Sequence, residues 1–265
     1  MSFPKLNEAK INFDDYKYGK TPLNLLEKFN DMPFYHQLGS GYKNPNTNYI
    51  DQLISILKDG NLYCDRILKE KNIQAMDNTH PADQAVSRNE YVYLSLGTIK
   101  EVLTSPQITI EIPQGLVANH YPESYFCNDL MAFDPSKFIH NEMTQEHWGQ
   151  WEKSILTVED GIKVLAAFTE HYFTNHQEYI NSSYGFFNGV NDITQTDIWF
   201  VPEFTTKETL PITNSSIIFH LIGYDSTQIL QITNFMGQNG YKEEQLKTYT
   251  DAQQFKQYLI SNSGL

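Results

Sequence analysis

The spacing of apolar residues predicts a helix near the start of the chain. Between residues 49 and 58, apolar side chains recur at i, i+3, i+4 and i+7, as on one face of a helix; they are Ile50, Leu53, Ile54 and Leu57. Asn48 or Thr47 can cap the start of this helix, and Gly60 is well placed to end it.

Three further segments show a helical pattern. LNLLEKF (23–29) predicts a short helix. Residues 157–180 predict a long one, because apolar side chains line one face and Thr157 and Asp160 form a capping box at its start. DAQQFKQYLI, with Thr250 directly before it as the cap, predicts the last helix.

The strand pattern begins after the polar loop 77–90. YVYLSL (91–96) is rich in β-favouring residues, and ITIEI (108–112) alternates as a half-buried strand does. Residues 113–147 lack a regular period and carry three prolines, which predicts a long connection. Three more strands are predicted at 197–201, 216–222 and 228–233. Strands towards both ends with helices between them favour an α+β fold over a regular βαβ series.

Length and composition are those of a folding sequence. The chain has 265 residues, of which 40% are hydrophobic and 14% aromatic, enough to bury a core. We expect an N-terminal lead-in over residues 1–33 and a single α+β domain over 34–265. No apolar stretch approaches the roughly 18 residues of a membrane span, and the N-terminus has no apolar signal region. This predicts a cytoplasmic protein, or one secreted by a route independent of a signal peptide, without a membrane partner.

The charge balance bears on possible partners. The net charge is -13, and Arg66 and Arg88 are the two arginines of the chain. Because binding to a phosphate backbone needs clusters of Lys and Arg, this charge argues against nucleic acid as a partner. Cys64 and Cys127 lack the CxxC spacing of a zinc or redox site, which favours ordinary thiols. The common nucleotide, protease and calcium motifs are absent, and no metal site is predicted.

Four short segments carry a resemblance to a known family. Tyr35-His36 ends an apolar segment, and a loop then leads to a helix end at Ile54 to Gly60. Arg88 precedes the serine-bearing strand YVYLSL, and DIWFVPEF follows at 197–204. This order resembles the ADP-ribosyltransferase fold in its histidine-containing branch, with a layout similar to DNA-targeting ADP-ribosyltransferase toxins and rifamycin-modifying ADP-ribosyltransferases.

The resemblance implies a mixed or antiparallel split sheet with flanking helices. It also implies a mono-ADP-ribosyltransferase that uses NAD as substrate to modify a protein or small-molecule target, as a bacterial toxin or effector does. His36 would hydrogen-bond a ribose hydroxyl with support from Tyr35, and Arg88 could contact the diphosphate. Tyr93 or Ser95 would border the nicotinamide.

An acidic residue on a late strand would be the catalytic carboxylate. Asp197 fits the start of the strand best by order, whereas Glu203 has the expected longer side chain but follows Pro202. We favour Glu203. Cleavage of NAD passes through an oxocarbenium-like state that a carboxylate stabilises, so His36, Ser95 and the acid should meet in one cleft within roughly 10 Å.

Two other functions compete with the transferase. The family usually keeps a small residue and then Ser or Thr after the histidine, whereas this chain has Gln37 and Leu38. That departure, with the scarcity of arginine, favours a non-catalytic, acidic protein-interaction domain on the same or another α+β fold. An unrelated hydrolase with His36, His120 or His140 as its base is the third alternative.

Overall fold

In the computed structural model, the described part of the chain is an α+β fold in which helices pack against a mixed eight-stranded sheet. The described residues are 23–38, 49–73, 90–97, 99, 106–120, 123–128, 156–159, 162 and 202–262. The α+β class predicted from the sequence is confirmed for these residues.

Ten strands occur within the described ranges. They are β1 (Phe34–Leu38), β2 (Asn61–Tyr63), β3 (Tyr91–Leu96), β4 (Gln107–Ile112), β5 (Glu123–Asn128), β6 (Leu156–Thr157), β7 (Pro202–Lys207), β8 (Thr209–Pro211), β9 (Ile218–Ile222) and β10 (Leu246–Tyr249). The large sheet has the order β10-β9-β4-β1-β3-β7-β5-β6, and β2 pairs with β8 in a separate two-stranded sheet. In the large sheet β10 and β9 run parallel, and the other neighbours are antiparallel.

Six α-helices accompany these strands in the same part of the chain. They are α1 (Leu23–Asn30), α2 (Tyr49–Asp59), α3 (Asp65–Glu70), α4 (Gln114–His120), α5 (Ser226–Gln238) and α6 (Ala252–Asn262), and a 3-10 turn covers Glu243–Gln245. Helix α2 packs against β1, β4 and α5. The helices predicted at 23–29 and 49–58 are confirmed, as is the last helix of the chain.

Alternation along β1 separates two faces of the sheet. Phe34 and Leu38 are buried in the main hydrophobic core, which also takes in the apolar faces of α2 and α5. Tyr35, between them in the chain, belongs to a second, smaller cluster on the other face. That cluster contains Tyr35, Ile99, Ile222, Phe255 and Leu259. The second face therefore carries helix α6 over a smaller apolar area than the main core has.

The strand predicted at 228–233 is wrong, because these residues lie inside helix α5. Its QILQIT sequence is a short apolar run, but Asp225 caps the segment and forms a capping box with Gln228. Ile232 and Met236 then bury one helical face, and Leu230 is left 59% exposed. A strong local start signal and burial of one helical face thus decide for a helix.

Two other local expectations are corrected. The connection predicted over 113–147 contains helix α4 and strand β5 in its described part. The cap of α6 is Asp251, whose carboxylate accepts from the Gln254 backbone N–H, whereas Thr250 donates its own backbone N–H to the Gln254 side chain. Asp251 has the carboxylate that a helix N-terminus prefers.

Several sequence predictions fall mostly or wholly outside the described residues. The strand predicted at 197–201 lies outside them. Of the helix predicted at 157–180, the structure describes Thr157 as the end of β6, helical backbone at 158–159, and residue 162.

Gly60 ends helix α2 as the sequence predicts. Its φ is +66°, its N–H donates to the Ile56 carbonyl at 2.8 Å, and a β-carbon here would lie 2.6 Å from the Thr213 side chain. We expect Gly60→Ala to lower the free energy of unfolding by about 1–2 kcal/mol, the usual cost of a left-handed non-glycine residue. Urea denaturation measures it.

Gly237 is a matched control for that substitution. It lies near the end of α5, and a β-carbon there would meet nothing within 4 Å. Gly237→Ala should raise the free energy of unfolding by roughly 0.5–1 kcal/mol, because alanine is the better helix former. Equal effects of the two substitutions would contradict the role assigned to Gly60.

Candidate functional site

Three strands that carry predicted site residues are neighbours in the sheet. β1 pairs with β3, and β3 pairs with β7. Tyr35 is the register partner of Ser95 on β3 and, on its other side, of Glu111 on β4. Directly paired residues of antiparallel strands project from the same face. Tyr35, Ser95 and Glu111 therefore form one row across the sheet.

Glu203 is the second residue of strand β7. Its register partner on β5 is Cys127, and the next residue, Phe204, pairs with Leu94 on β3. Continued by one residue, the register of β3 and β7 brings position 203 opposite Ser95. Since neighbouring strands lie about 4.8 Å apart, the backbone at position 203 is roughly 10 Å from that of β1.

His36 does not share the face of Ser95, which corrects the sequence prediction. It follows Tyr35 in β1 and pairs with the core residue Ile110, so alternation directs it to the opposite side. Its Nδ1–H donates to the Tyr93 carbonyl at 2.8 Å. Burial lowers the pKa of His36, and the hydrogen bond to Tyr93 opposes that effect. His36 thus links strand β1 to strand β3 through this hydrogen bond.

The other predicted residues are placed as follows. Tyr93 is half-buried on β3 and is the register partner of Thr205 on β7. Ser95 is 7% exposed. Arg88 and Asp197 lie outside the described residues. The structure thus brings together the strands of Tyr35, Tyr93, Ser95 and Glu203, and it separates His36 from Ser95 by the thickness of the sheet.

A second group of polar residues, which the sequence reasoning missed, surrounds Glu111. The Oε2 atom of Glu111 accepts hydrogen bonds from the Tyr35 hydroxyl at 3.2 Å, from His220 Nε2 at 3.0 Å and from the Tyr258 hydroxyl at 2.8 Å. The Tyr249 hydroxyl lies 3.1 Å from His220 Nδ1. We call Tyr35, Glu111, His220, Lys247, Tyr249 and Tyr258 the Glu111 network.

The Glu111 network fixes the tautomer of His220. Because an ionised carboxylate can only accept, His220 Nε2 carries the proton and donates to Glu111. Nδ1 then accepts from the Tyr249 hydroxyl. Burial lowers the pKa of the fully buried His220, and the contact with Glu111 opposes that effect. The histidine is therefore neutral near pH 7.

The carboxyl and the phenols of the Glu111 network keep their usual protonation states near neutral pH. Burial raises the pKa of Glu111. The hydrogen bonds from His220 and Tyr258 and the positive charge of Lys247 lower it, and together they outweigh burial, so the pKa of Glu111 is lowered. Burial first, and then the charge of Glu111, raises the pKa of Tyr35, Tyr249 and Tyr258. The phenols are therefore hydrogen-bond donors and not activated nucleophiles.

A sequence signal for the Glu111 network exists. Glu111 interrupts the apolar ITIEI strand, and His220 interrupts SIIFHLI. A charged or titratable residue within a buried strand is rare unless it has a partner. The two strands pair directly, with Thr109 opposite His220. The sequence does not show that β4 pairs with β9, and this pairing is what brings Glu111 and His220 together.

The described ranges hold no candidate metal centre, since no group of three or more of their His, Cys, Asp or Glu side chains could bind an ion. Nor is any helix in those ranges long and apolar enough to cross a bilayer. Comparison of the chain with models of known protein families and with curated proteins found no match.

Proposed function

We propose that this protein is a mono-ADP-ribosyltransferase that uses NAD to modify a protein or small-molecule target. One observation carries the proposal. The segments of Tyr35, Ser95 and Glu203, far apart in the chain, lie on three consecutive strands, β1, β3 and β7. The sequence resemblance required these segments to meet, and their adjacency supports it.

The row across the sheet suits cleavage of the nicotinamide–ribose bond. That bond breaks with its electron pair leaving on nicotinamide, and the ribose C1′ becomes oxocarbenium-like. A nucleophile of the target then bonds to C1′ and releases a proton. A carboxylate at position 203 would stabilise the positive charge, and the adjacent Ser95 would present its hydroxyl beside it. Tyr35, whose hydroxyl donates to Glu111, would border the site.

The strand register also supports Glu203 as the catalytic acid. Position 203 lies within β7 and reaches Ser95 by one step of the register. His36, in contrast, is engaged by the Tyr93 carbonyl. In this proposal it holds β1 against β3 and does not contact the ribose.

Glu203→Gln is expected to reduce nicotinamide release from NAD by about 10²–10³-fold, because it removes the charge that stabilises the transition state. Nicotinamide release is followed by chromatography with the full chain and candidate protein or small-molecule targets. Asp197→Asn should retain activity. The matched control is Glu243→Gln, at an exposed glutamate of the 3-10 turn.

Two outcomes would oppose this assignment, and each has a different consequence. Loss of activity in Asp197→Asn with full activity in Glu203→Gln would move the catalytic role to Asp197. No release by the wild-type protein with any target would instead favour the second function, a non-catalytic interaction domain. That alternative is favoured by the structural use of His36 and by the bulky Gln37 and Leu38 after it.

A further inference from the structure

Helix α6 is held to the sheet partly by a small apolar contact. Phe255 and Leu259 of the helix pack with Tyr35 and Ile222, residues of β1 and β9. Helix α2 instead buries four side chains in a much larger cluster. Other interactions must therefore contribute substantially to the position of α6.

The polar attachment of α6 is made by Tyr258. Its hydroxyl donates to Glu111 Oε2 at 2.8 Å and accepts from Lys247 Nζ at 3.0 Å. The Lys247 ammonium also lies 4.4 Å from the centre of the Tyr258 ring, a cation–π distance. The helix is thus fastened to β4 and β10 through one phenol.

The same helix covers His220. The rings of Phe255 and Tyr258 have their centres 5.0 Å and 4.9 Å from that of the imidazole, which is 0% exposed. His220 and Tyr258 donate to the same carboxylate oxygen of Glu111. Displacement of α6 would remove both aromatic covers and admit water to the histidine.

The titratable and charged groups that face His220 come from four elements. Glu111 on β4 and Lys247 on β10 are the charged ones, and Tyr35 on β1, Tyr249 on β10 and Tyr258 on α6 are phenols. Protonation of His220 would remove the acceptor that Tyr249 uses and place a second cation near Lys247. Among these groups, Glu111 alone favours the imidazolium.

We infer that α6 is a proton-operated latch: release of the helix from the sheet is coupled to uptake of one proton by His220. With the helix docked, the imidazole is neutral and joins Tyr249 to Glu111. With the helix released, water solvates the imidazolium. The latch uses contacts of β1, β4, β9, β10 and α6. Tyr35 belongs to both the latch and the proposed transferase site, but the coupling of α6 to His220 does not require transferase activity.

The direction of the pH effect follows from linkage. Burial lowers the pKa of His220 in the docked state, whereas the released state has the ordinary value near 6.5. The released state therefore binds more protons below pH 6.5. The equilibrium constant for release of α6 rises by up to about tenfold for each unit by which the pH falls. Glu111, whose pKa is also lowered, acts in the same direction but only in more acidic solution, so pH 5.5 is a suitable lower limit.

Hydrogen–deuterium exchange of the full chain tests the latch. Exchange in peptides covering Ala252–Asn262 is expressed as protection factors, so that the intrinsic pH dependence of exchange cancels. Between pH 7.5 and 5.5, protection of α6 should fall, by up to about tenfold. Helix α5, which buries Ile232 and Met236 in the main core, is the internal control and should change little.

His220→Gln removes the titrating group and should abolish the pH dependence of α6. An equal fall in this variant, or unchanged protection in the wild type, would overturn the proposal. Should the variant fail to fold, NMR titration of the wild-type imidazole, assigned through contacts with the Phe255 and Tyr258 rings, decides. Titration of His220 below 6.5 supports the latch, and titration at or above 6.5 overturns it.

Discussion

Glu111→Ala is expected to lower the free energy of unfolding by about 3–5 kcal/mol, because it leaves buried polar partners without their acceptor. The Glu111 side chain is 14% exposed, and it accepts from Tyr35, His220 and Tyr258 through one oxygen. Urea denaturation near pH 7.5, where His220 is neutral, measures the loss.

Two variants separate the hydrogen bonds from the charge. Glu111→Gln keeps a carbonyl oxygen that can accept, and we expect it to be clearly less destabilising than Glu111→Ala. Glu244→Ala removes an exposed carboxylate of the 3-10 turn and should have little effect. A Glu111→Ala loss no larger than that of Glu244→Ala would show that the Glu111 network does not stabilise the fold.

Phe204→Ala is the second substitution with a large expected effect. Phe204 is 0% exposed on β7, and its ring centre lies 4.9 Å from that of Phe34 on β1. Removal of the ring leaves a cavity in the main hydrophobic core, so we expect a loss of about 3–5 kcal/mol in the free energy of unfolding. Thermal and urea denaturation both report it.

Phe204→Leu is the matched control, because it retains most of the buried apolar volume. We expect a loss of about 1.5 kcal/mol or less. If alanine and leucine have the same effect, the core relaxes around the missing ring, and the contact between the Phe204 and Phe34 rings is not the main stabilising one. Because Phe204 follows Glu203, a loss of nicotinamide release in Phe204→Leu would also measure how far the site depends on the position of β7.

The local pattern of residues along the chain was sufficient to predict several helices and strands. Helix α2, its end at Gly60 and strand β3 follow from local patterns that the structure confirms. The same reasoning failed at 228–233, where a short apolar run predicted as a strand forms part of α5. Short apolar runs fit both a strand and a helix, and here the cap at Asp225 and burial of Met236 decide.

Of the residues that the sequence indicated for the candidate site, the strand order brings some together and separates one. The sequence indicated Tyr35, Ser95 and Glu203 as residues to be brought together, and the order of β1, β3 and β7 supports that selection. It also grouped His36 with them, which is wrong. A shift of one residue along a strand reverses the face of the sheet, and a short motif such as Tyr35-His36 does not specify which of the two residues faces the site.

The sequence by itself determined the α+β class, the acidic charge and the positions of the strongest local elements, because these depend on composition and on contacts between near neighbours in the chain. Only the tertiary structure decided that Glu111 meets His220 and Tyr258, which lie 109 and 147 residues away from it along the chain. Their contact depends on the pairing of β4 with β9 and on the docking of α6, and long-range strand order leaves little trace in local patterns.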